Sequence, residues 1–324
     1  MLIFLNVIVI LMLCFVMYKA SEWLIQSIKA IADDGILSKF FLASIFAGAF
    51  CALPELFIGI TSSLEGVPNI AFGNSIGSSI SNLGLIFPMA ILLTTSKLIV
   101  HKEDFSLNTI FFLLTASLFP FLLILDGHLS RIDGLFLIFL FATYSLYLFN
   151  KRPKQQQGLR SFFVRLEKSF RKGHIKQALL TLFLAVVVLV VSSHFLLKSA
   201  IFLAESLSVR PFLIAVFILA PGTSFPELFV SLNSIRKREF NVLYGDIFGS
   251  LIANANLIIG TTGLIADYRI EIFPEYLLSL VALVGMFALF ILFSQSRKRF
   301  DRWEAVVLLG AYFLFFLAET FIHF

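Results

Sequence analysis

The segment Pro54-Glu55-Leu56-Phe57 is written a second time, 172 positions later, as Pro226-Glu227-Leu228-Phe229. Gly77-Ser78 recurs as Gly249-Ser250, and Asn82 as Asn254, at the same offset and without a gap. The register extends outward: Ser21 matches Ser193, Leu24 matches Leu196, Ser27 matches Ser199, and Phe40, Ala43, Ser62 and Gly73 match Phe212, Ala215, Ser234 and Gly245. Each copy sets a carboxylate beside a proline inside a strongly apolar stretch. A charge in such surroundings is costly and by default marks function. Two of them, related by an internal duplication, point to a transporter whose binding site lies between the repeats, near the middle of a bilayer.

The rest of the chain supports a membrane setting. Of its 324 residues 59% are hydrophobic and 14% charged, with a mean hydropathy of +0.96. A water-soluble exterior has no use for so much apolar surface, and long apolar runs broken by short polar stretches predict transmembrane helices. Alternating strands of the kind that build outer-membrane barrels are absent. The runs predict about ten spans, near residues 2–29, 38–64, 69–95, 107–125, 130–150, 177–204, 210–235, 241–266, 275–294 and 302–322. The fold class is therefore an all-α polytopic membrane protein. Its 40 phenylalanines follow no period and are read as lipid-facing and packing residues. Met1 to Tyr18 lacks the basic n-region and cleavage site of a signal peptide, so it is read as the first span.

Several chemistries are excluded. Cys14 and Cys51 lie in apolar segments and give neither metal spacing nor a disulfide framework. The five histidines are scattered, with no pair at ligand spacing. No phosphate loop, Ser-His-Asp set or Walker motif is present. The chain is accordingly not expected to be an enzyme or to carry a cofactor, and no protein partner is evident. Its net charge of +5 is no signal for nucleic acid, because the basic residues sit in the connections between spans. Twenty of the 25 Lys and Arg fall on one face, nine of them between Lys151 and Lys176, against Arg131, Arg210 and Arg269 on the other. The positive-inside rule makes the basic face cytoplasmic and puts both termini outside.

The halves are expected to be a first five-helix repeat over 1–150, a basic cytoplasmic linker over 151–176, and a second repeat over 177–324. Part of the linker, Leu159 to Lys172, could lie on the membrane surface as an amphipathic helix and meet anionic lipid. Five spans per half is an odd number, so the second half enters the membrane from the opposite face. Two inverted five-helix repeats follow from that parity.

Proline has no N–H and clashes with the carbonyl four residues earlier, so Pro54 and Pro226 are expected to free backbone oxygens near Phe50 and Gly222. Such oxygens are tolerated at that depth only when they face a cavity or ligand. The small residues upstream, among them Gly48, Cys51, Ala52, Ala220, Gly222, Thr223 and Ser224, allow a cation to approach the backbone. Glu55 and Glu227 are expected to face each other across the pseudo-symmetry axis. The third helix of each half adds Ser78 and Asn82, or Ser250 and Asn254, whose four-residue spacing puts them on one helical face. All of these are hard oxygen donors, suited to Ca2+ or Na+ rather than to zinc or copper. Two carboxylates neutralise one divalent ion, or hold monovalent ions or protons in its absence. Small-residue packing is the competing reading for Gly77-Ser78 and Gly249-Ser250, interhelical hydrogen bonding for Asn82 and Asn254, and back-bonding within the helix for Thr223 and Ser224.

At these residues a resemblance becomes specific. Gly222-Thr223-Ser224-Phe225-Pro226-Glu227 is similar to the G-T-S-x-P-E signature of the cation/Ca2+ exchanger superfamily. Gly73-Asn74-Ser75-Ile76-Gly77-Ser78-Ser79-Ile80-Ser81-Asn82 resembles the G-N-x-x-G-S-x-x-x-N that follows it. The resemblance implies an antiporter that exchanges Ca2+ for Na+ or H+ by alternating access, as in prokaryotic sodium/calcium exchangers of the plasma membrane. It implies Glu55 and Glu227 as the central Ca2+ ligands, with Asn82, Ser78, Ser250 and Thr223 around them. Backbone oxygens at Gly48 and Ala220 would complete flanking Na+ sites. The chain departs from the pattern at three places. Cys51-Ala52 replaces the first-repeat T-S, Asn254 stands where sodium/calcium exchangers commonly have Asp, and Asp246 stands opposite Asn74 of the first repeat. Na+/Ca2+ exchange is the reading favoured. Ca2+/H+ exchange, exchange of another divalent ion, and a non-transporting membrane scaffold remain as alternatives.

Overall fold

The computed structural model describes residues 2–33, 52–94, 98–99, 117–150, 174–237, 240–269, 273–296 and 299–323. Helices dominate. In chain order they are α1 (Leu2–Asp33), α2 (Leu53–Leu64), α3 (Pro68–Ser81, a π turn at Asn82–Ile86, Phe87–Leu92) and α4 (117–123). After these come α5 (Arg131–Asn150), α6 (His174–Leu207) and α7, which is built in four pieces: Pro211–Ile214, a π turn at Ala215–Leu219, Ala220–Thr223 and Phe225–Lys237. The chain continues with α8 (Phe240–Ile252, a π turn at Ala253–Ile258, Ile259–Ile265), α9 (Phe273–Ser296) and α10 (Arg302–His323). Seven of the described helices are long and apolar enough to cross a membrane. The ten predicted spans each meet one of these ten helices. Spans two and four are described only from residues 52 and 117 onward.

Why these segments are helical follows from their residues. The spans are rich in Leu, Phe, Ile and Ala, and a helix satisfies its backbone polar groups internally, which hydrocarbon demands. Three prolines open elements: Pro68, Pro211 and Pro54 all sit in a first turn, where the missing N–H has no intrahelical partner to lose. Outward residues such as Phe4 and Phe321 are 72% and 83% exposed, a surface suited to lipid. Other phenylalanines pack inward; the rings of Phe87, Phe290 and Phe300 meet with centroids 4.9 to 5.1 Å apart.

Two large apolar clusters, and a small third one of Ala52, Ala253 and Ile258, fill the described interior. One joins α1 and α6 through stripes at helical spacing, Ile10, Cys14 and Met17 against Leu189, Leu196, Ala200 and Leu203, and reaches the first part of α7 at Ala215 and Leu219. The other gathers α3, α4, α5, α8, α9 and α10 with both parts of α7, Phe212, Leu213 and Val216 before its break and Leu228 and Ile235 after it. At about 1.5 Å per residue, the 32 residues of α1 and 34 of α6 run well past the roughly 30 Å hydrocarbon core, so both must tilt or overhang.

Short strands fix the ends of the bundle. β1 (Leu98–Ile99) pairs antiparallel with β4 (Arg299–Phe300), and β2 (His128–Leu129) with β3 (Tyr268–Arg269). β3 precedes α9 and β4 follows it, so the two pairs lie at opposite ends of that helix. The connections after α3 and α9 thus share one end, and those after α4 and α8 share the other. Each pairing requires an even number of crossings between its strands, as ten spans supply. Arg302 donates to the carbonyl of Thr94 at 3.1 Å and adds a side-chain tie beside the first pair. Asp301 N–H donates to Glu304 at 2.8 Å, which caps α10.

Candidate cation site

α2 begins at Leu53 after Ala52, whose dihedrals (φ −80, ψ 8) are not helical, and Glu55 lies in its first turn. In α7 the same event is a break at Ser224 (φ −84, ψ 6), between Ala220–Thr223 and Phe225–Lys237, and Glu227 lies in the first turn of the second piece. Each glutamate thus follows a proline in the first turn of a helical segment. Both carboxylates are buried, 0% and 2% exposed. They stand close enough for their charges to repel. Among the described residues neither pairs with a basic side chain. Burying a charge without a partner is expensive, and two adjacent like charges more so; a cation between them removes the penalty.

α3 and α8 supply the neutral donors. Ser78 Oγ donates to Glu55 Oε1 at 3.4 Å, and the Thr223 hydroxyl of α7 also faces that carboxylate. Asn82 faces Glu227 and donates from Nδ2 to Ser250 Oγ at 3.0 Å, joining the repeats directly. Ser250 Oγ in turn donates to the Ile247 carbonyl at 3.0 Å. Ser75 Oγ donates to the backbone carbonyl of Asn254 at 2.7 Å, a second clamp between α3 and α8 that the sequence reading did not single out. Several more oxygens are buried without partners among the described residues: Glu55 Oε2, Glu227 Oε2, Asn82 Oδ1, Ser224 Oγ and Asn254 Oδ1, together with the amide nitrogen of Asn254. Buried donors and acceptors are rarely left unpaired unless a ligand completes them.

The competing roles raised by the sequence are also present. Thr223 Oγ1 back-bonds to the carbonyls of Leu219 and Ala220 at 3.1 and 3.2 Å, and the Ala220 carbonyl accepts the Ser224 N–H at 3.1 Å as well. Gly77 serves close packing: an added Cβ would meet Val216 Cα at 2.8 Å. Gly48, expected to offer a backbone oxygen, and Cys51 lie outside the described residues. No three or more His, Cys, Asp or Glu among the described residues gather into one cluster, so any ion held here is completed by hydroxyl, amide and carbonyl oxygens.

The π turns were not legible in the sequence. Besides the one in α7, they open at Asn82 in α3 and at Ala253, beside Asn254, in α8, equivalent places in the two repeats. Each inserts a residue into the turn, loosens the hydrogen-bond ladder and leaves carbonyls under-used, a habit of functional sites. Their signal is the repeat itself, since two asparagines at matched depth imply a matched local geometry.

Comparison with known proteins agrees with this architecture. A family model described as sodium/calcium exchanger protein matches residues 5–150 and 177–321. The inner membrane protein YrbG of Escherichia coli (strain K12) is 30% identical over 222 residues, 68% of this chain and 67% of its own length. The sodium/calcium exchanger MaX1 of Methanosarcina acetivorans is 23% identical across 98% of this chain and 99% of its own. The solved structure of the sodium-calcium exchanger NCX_Mj soaked with Na+ and Sr2+ superposes with a TM-score of 0.63 at 25% identity, covering 96% of this chain and 97% of that one. With both halves of the sequence matched, the chain belongs to the sodium/calcium exchanger protein family.

Proposed function

We propose that this integral membrane protein is a secondary antiporter exchanging Ca2+ for Na+ at a midplane site between Glu55 and Glu227. The observation that carries the reading is the pair itself: two buried glutamates, contributed by equivalent positions of inverted repeats and without basic partners among the described residues. One Ca2+ neutralises both. Asn82, Asn254, Ser78, Ser250, Thr223 and Ser224 line the site, and backbone oxygens at Gly48 and Ala220 flank it. Monovalent ions occupy overlapping oxygens and drive the return. Ca2+ and Na+ are cargo, with the surrounding lipid as the solvent.

Alternating access assigns the moving part to α1 and α6, which pack along one another in an apolar cluster that also takes in Ile58, Ile70 and Ala215; α1 meets the site helix at Gly222, where an added Cβ would lie 2.9 Å from Cys14 Sγ. An unloaded pair of carboxylates resists the transition, which enforces coupling. The basic linker over 151–176 faces the cytoplasm, both termini face outward, and the membrane is a prokaryotic plasma membrane.

Asn254 and the Cys51-Ala52 pair reduce the ligand set on which Na+ would draw, which keeps Ca2+/H+ exchange as the second reading. Radioactive Ca2+ uptake into proteoliposomes at clamped voltage separates the two. Uptake under an outward Na+ gradient alone establishes Na+ exchange, and uptake under an outward H+ gradient alone establishes the proton-coupled reading. Failure of both gradients moves the substrate to another divalent ion. Glu55→Gln is expected to lower uptake by about 100-fold, since losing one charged ligand of a buried set is worth roughly 3 kcal/mol; unaltered uptake in this variant would retire the site.

A further inference from the structure

Asn82 and Asn254 hold equivalent positions in the two repeats, yet different bonds hold them in place. Asn82 is fixed by its side chain: Nδ2 donates to Ser250 Oγ on α8 at 3.0 Å. The duplication would have Asn254 do the same to Ser78, the equivalent of Ser250. Ser78 Oγ instead donates to Glu55 Oε1, and neither side-chain polar atom of Asn254 has a hydrogen-bond partner among the described residues. At Asn254 it is the backbone that is held, through the carbonyl that accepts Ser75 Oγ at 2.7 Å.

Ser75, Ser78, Ser79 and Asn82 recur at i, i+3, i+4 and i+7 of α3 and so lie on one face of it. A serine inside a helix commonly donates to the carbonyl four residues back, as Ser79 does to Ser75 at 3.0 Å. Ser75 Oγ donates out of its own helix, into the π turn Ala253–Ile258 of α8. A π turn departs from the i→i−4 ladder, and a hydroxyl donated from outside to one of its carbonyls fixes that departure in place. Ser75 and Asn254 are both buried, so the bond is made away from water, and a carbonyl stranded there without it is costly. The contact is not returned by the other repeat. Ile247 stands where Ser75 stands, and its side chain has no donor to offer the Asn82 carbonyl.

We infer that Ser75 is a positioning residue for the cation site: it anchors the π turn of α8 by the backbone and so aims the Asn254 amide, whose side chain stays free to turn its oxygen toward an ion. The inference rests on the exchange reading for Glu55 and Glu227. Asn82, tied to Ser250 through Nδ2, presents its Oδ1 from a fixed direction. Asn254, pinned at the carbonyl and uncommitted at the amide, is the adjustable ligand, following ions of different radius by rotation of its side chain alone. The duplicated asparagines thus divide the work, one rigid and one adaptable, and a single hydroxyl present in the first repeat and missing from the second sets the difference.

The test pairs 45Ca2+ binding with amide hydrogen exchange, both on the purified, detergent-solubilised full-length protein, with CaCl2 as the probe. Ser75→Ala is expected to weaken Ca2+ binding by about fivefold, the net worth of one buried hydrogen bond. Asn254→Ala, which keeps the carbonyl and removes the ligand, should weaken it at least as much. The double variant should bind no more weakly than Asn254→Ala alone, because Ser75 then has nothing to aim. Ser75→Cys, of similar size and with a weaker donor, should fall between wild type and Ser75→Ala, and it carries the test if the alanine variant does not fold. In the ion-free protein, Ser75→Ala should speed amide hydrogen exchange across 253–259 by about fivefold or more. Unchanged amide rates, a Ca2+ affinity indifferent to Ser75→Ala or to Asn254→Ala, or two losses that multiply in the double variant each overturn the assignment. Faster amide rates at the π turn of Ser75→Ala, in a protein that binds no Ca2+, would sustain the anchor and retire the Ca2+ exchange reading, so the two fail separately.

Discussion

At the scale of single residues, the duplication works as an internal control. Gly73 and Gly245 hold equivalent positions on α3 and α8, yet a Cβ at Gly73 would meet the Phe212 carbonyl at 2.6 Å while one at Gly245 would meet nothing within 4 Å. Gly73→Ala is therefore expected to destabilise by about 1–3 kcal/mol through overpacking. Gly245→Ala should be neutral or stabilising by up to about 1 kcal/mol, the ordinary helix preference for alanine. Thermal unfolding of the two purified variants checks the pair; equal shifts would mean that α3 does not cross α7 this closely. The burial of Glu55 and Glu227 was legible in the sequence because each interrupts an apolar run at the same place in both repeats. The clamp at Ser75 was not, because a serine in a membrane helix carries no signal until its hydroxyl is seen donating across to the Asn254 carbonyl.

At the scale of elements, proline could be read and the π turns could not. Pro54 and Pro226 announce a disturbance, and the structure turns it into a fresh helix start with each glutamate in the first turn. The π turns at Asn82–Ile86 and Ala253–Ile258 depend on how α3 and α8 clasp one another through Ser75, Asn82 and Ser250, contacts between residues more than 160 positions apart. The contact between α6 and α2 offers a test of motion. Thr61 Oγ1 and Ser193 Oγ are 2.8 Å apart, and Glu65 at the end of α2 pairs with His194. Cysteines at positions 61 and 193, with Cys14 and Cys51 replaced by alanine, should form a disulfide on oxidation. Oxidised protein is expected to lose Ca2+ exchange and retain Ca2+ binding, with exchange restored by reductant. Full exchange by the crosslinked form would show that α6 does not slide past α2.

At the scale of the whole molecule, span count and inversion came from hydropathy and parity, while the strands did not. Two-residue strands leave no period to read, and β1 finds its partner two hundred residues away. Their pairing requires the connections after α3 and α9 to share a side. Cysteine introduced at Gln156 of the basic linker should react with an impermeant maleimide only from the cytoplasmic side; labelling from outside would invert the proposed orientation while leaving the fold intact. Each strand pair takes one member from each half of the chain, at opposite ends of the bundle, and Asn82 and Ser250 bridge the halves in the middle. The covalent link over 151–176 is thus one fastening among several. Severed there and co-expressed as separate polypeptides, 1–150 and 177–324 should find each other in the membrane and reconstitute a working heterodimer, which makes this single chain, in physical terms, an assembly of two subunits that happen to be tethered.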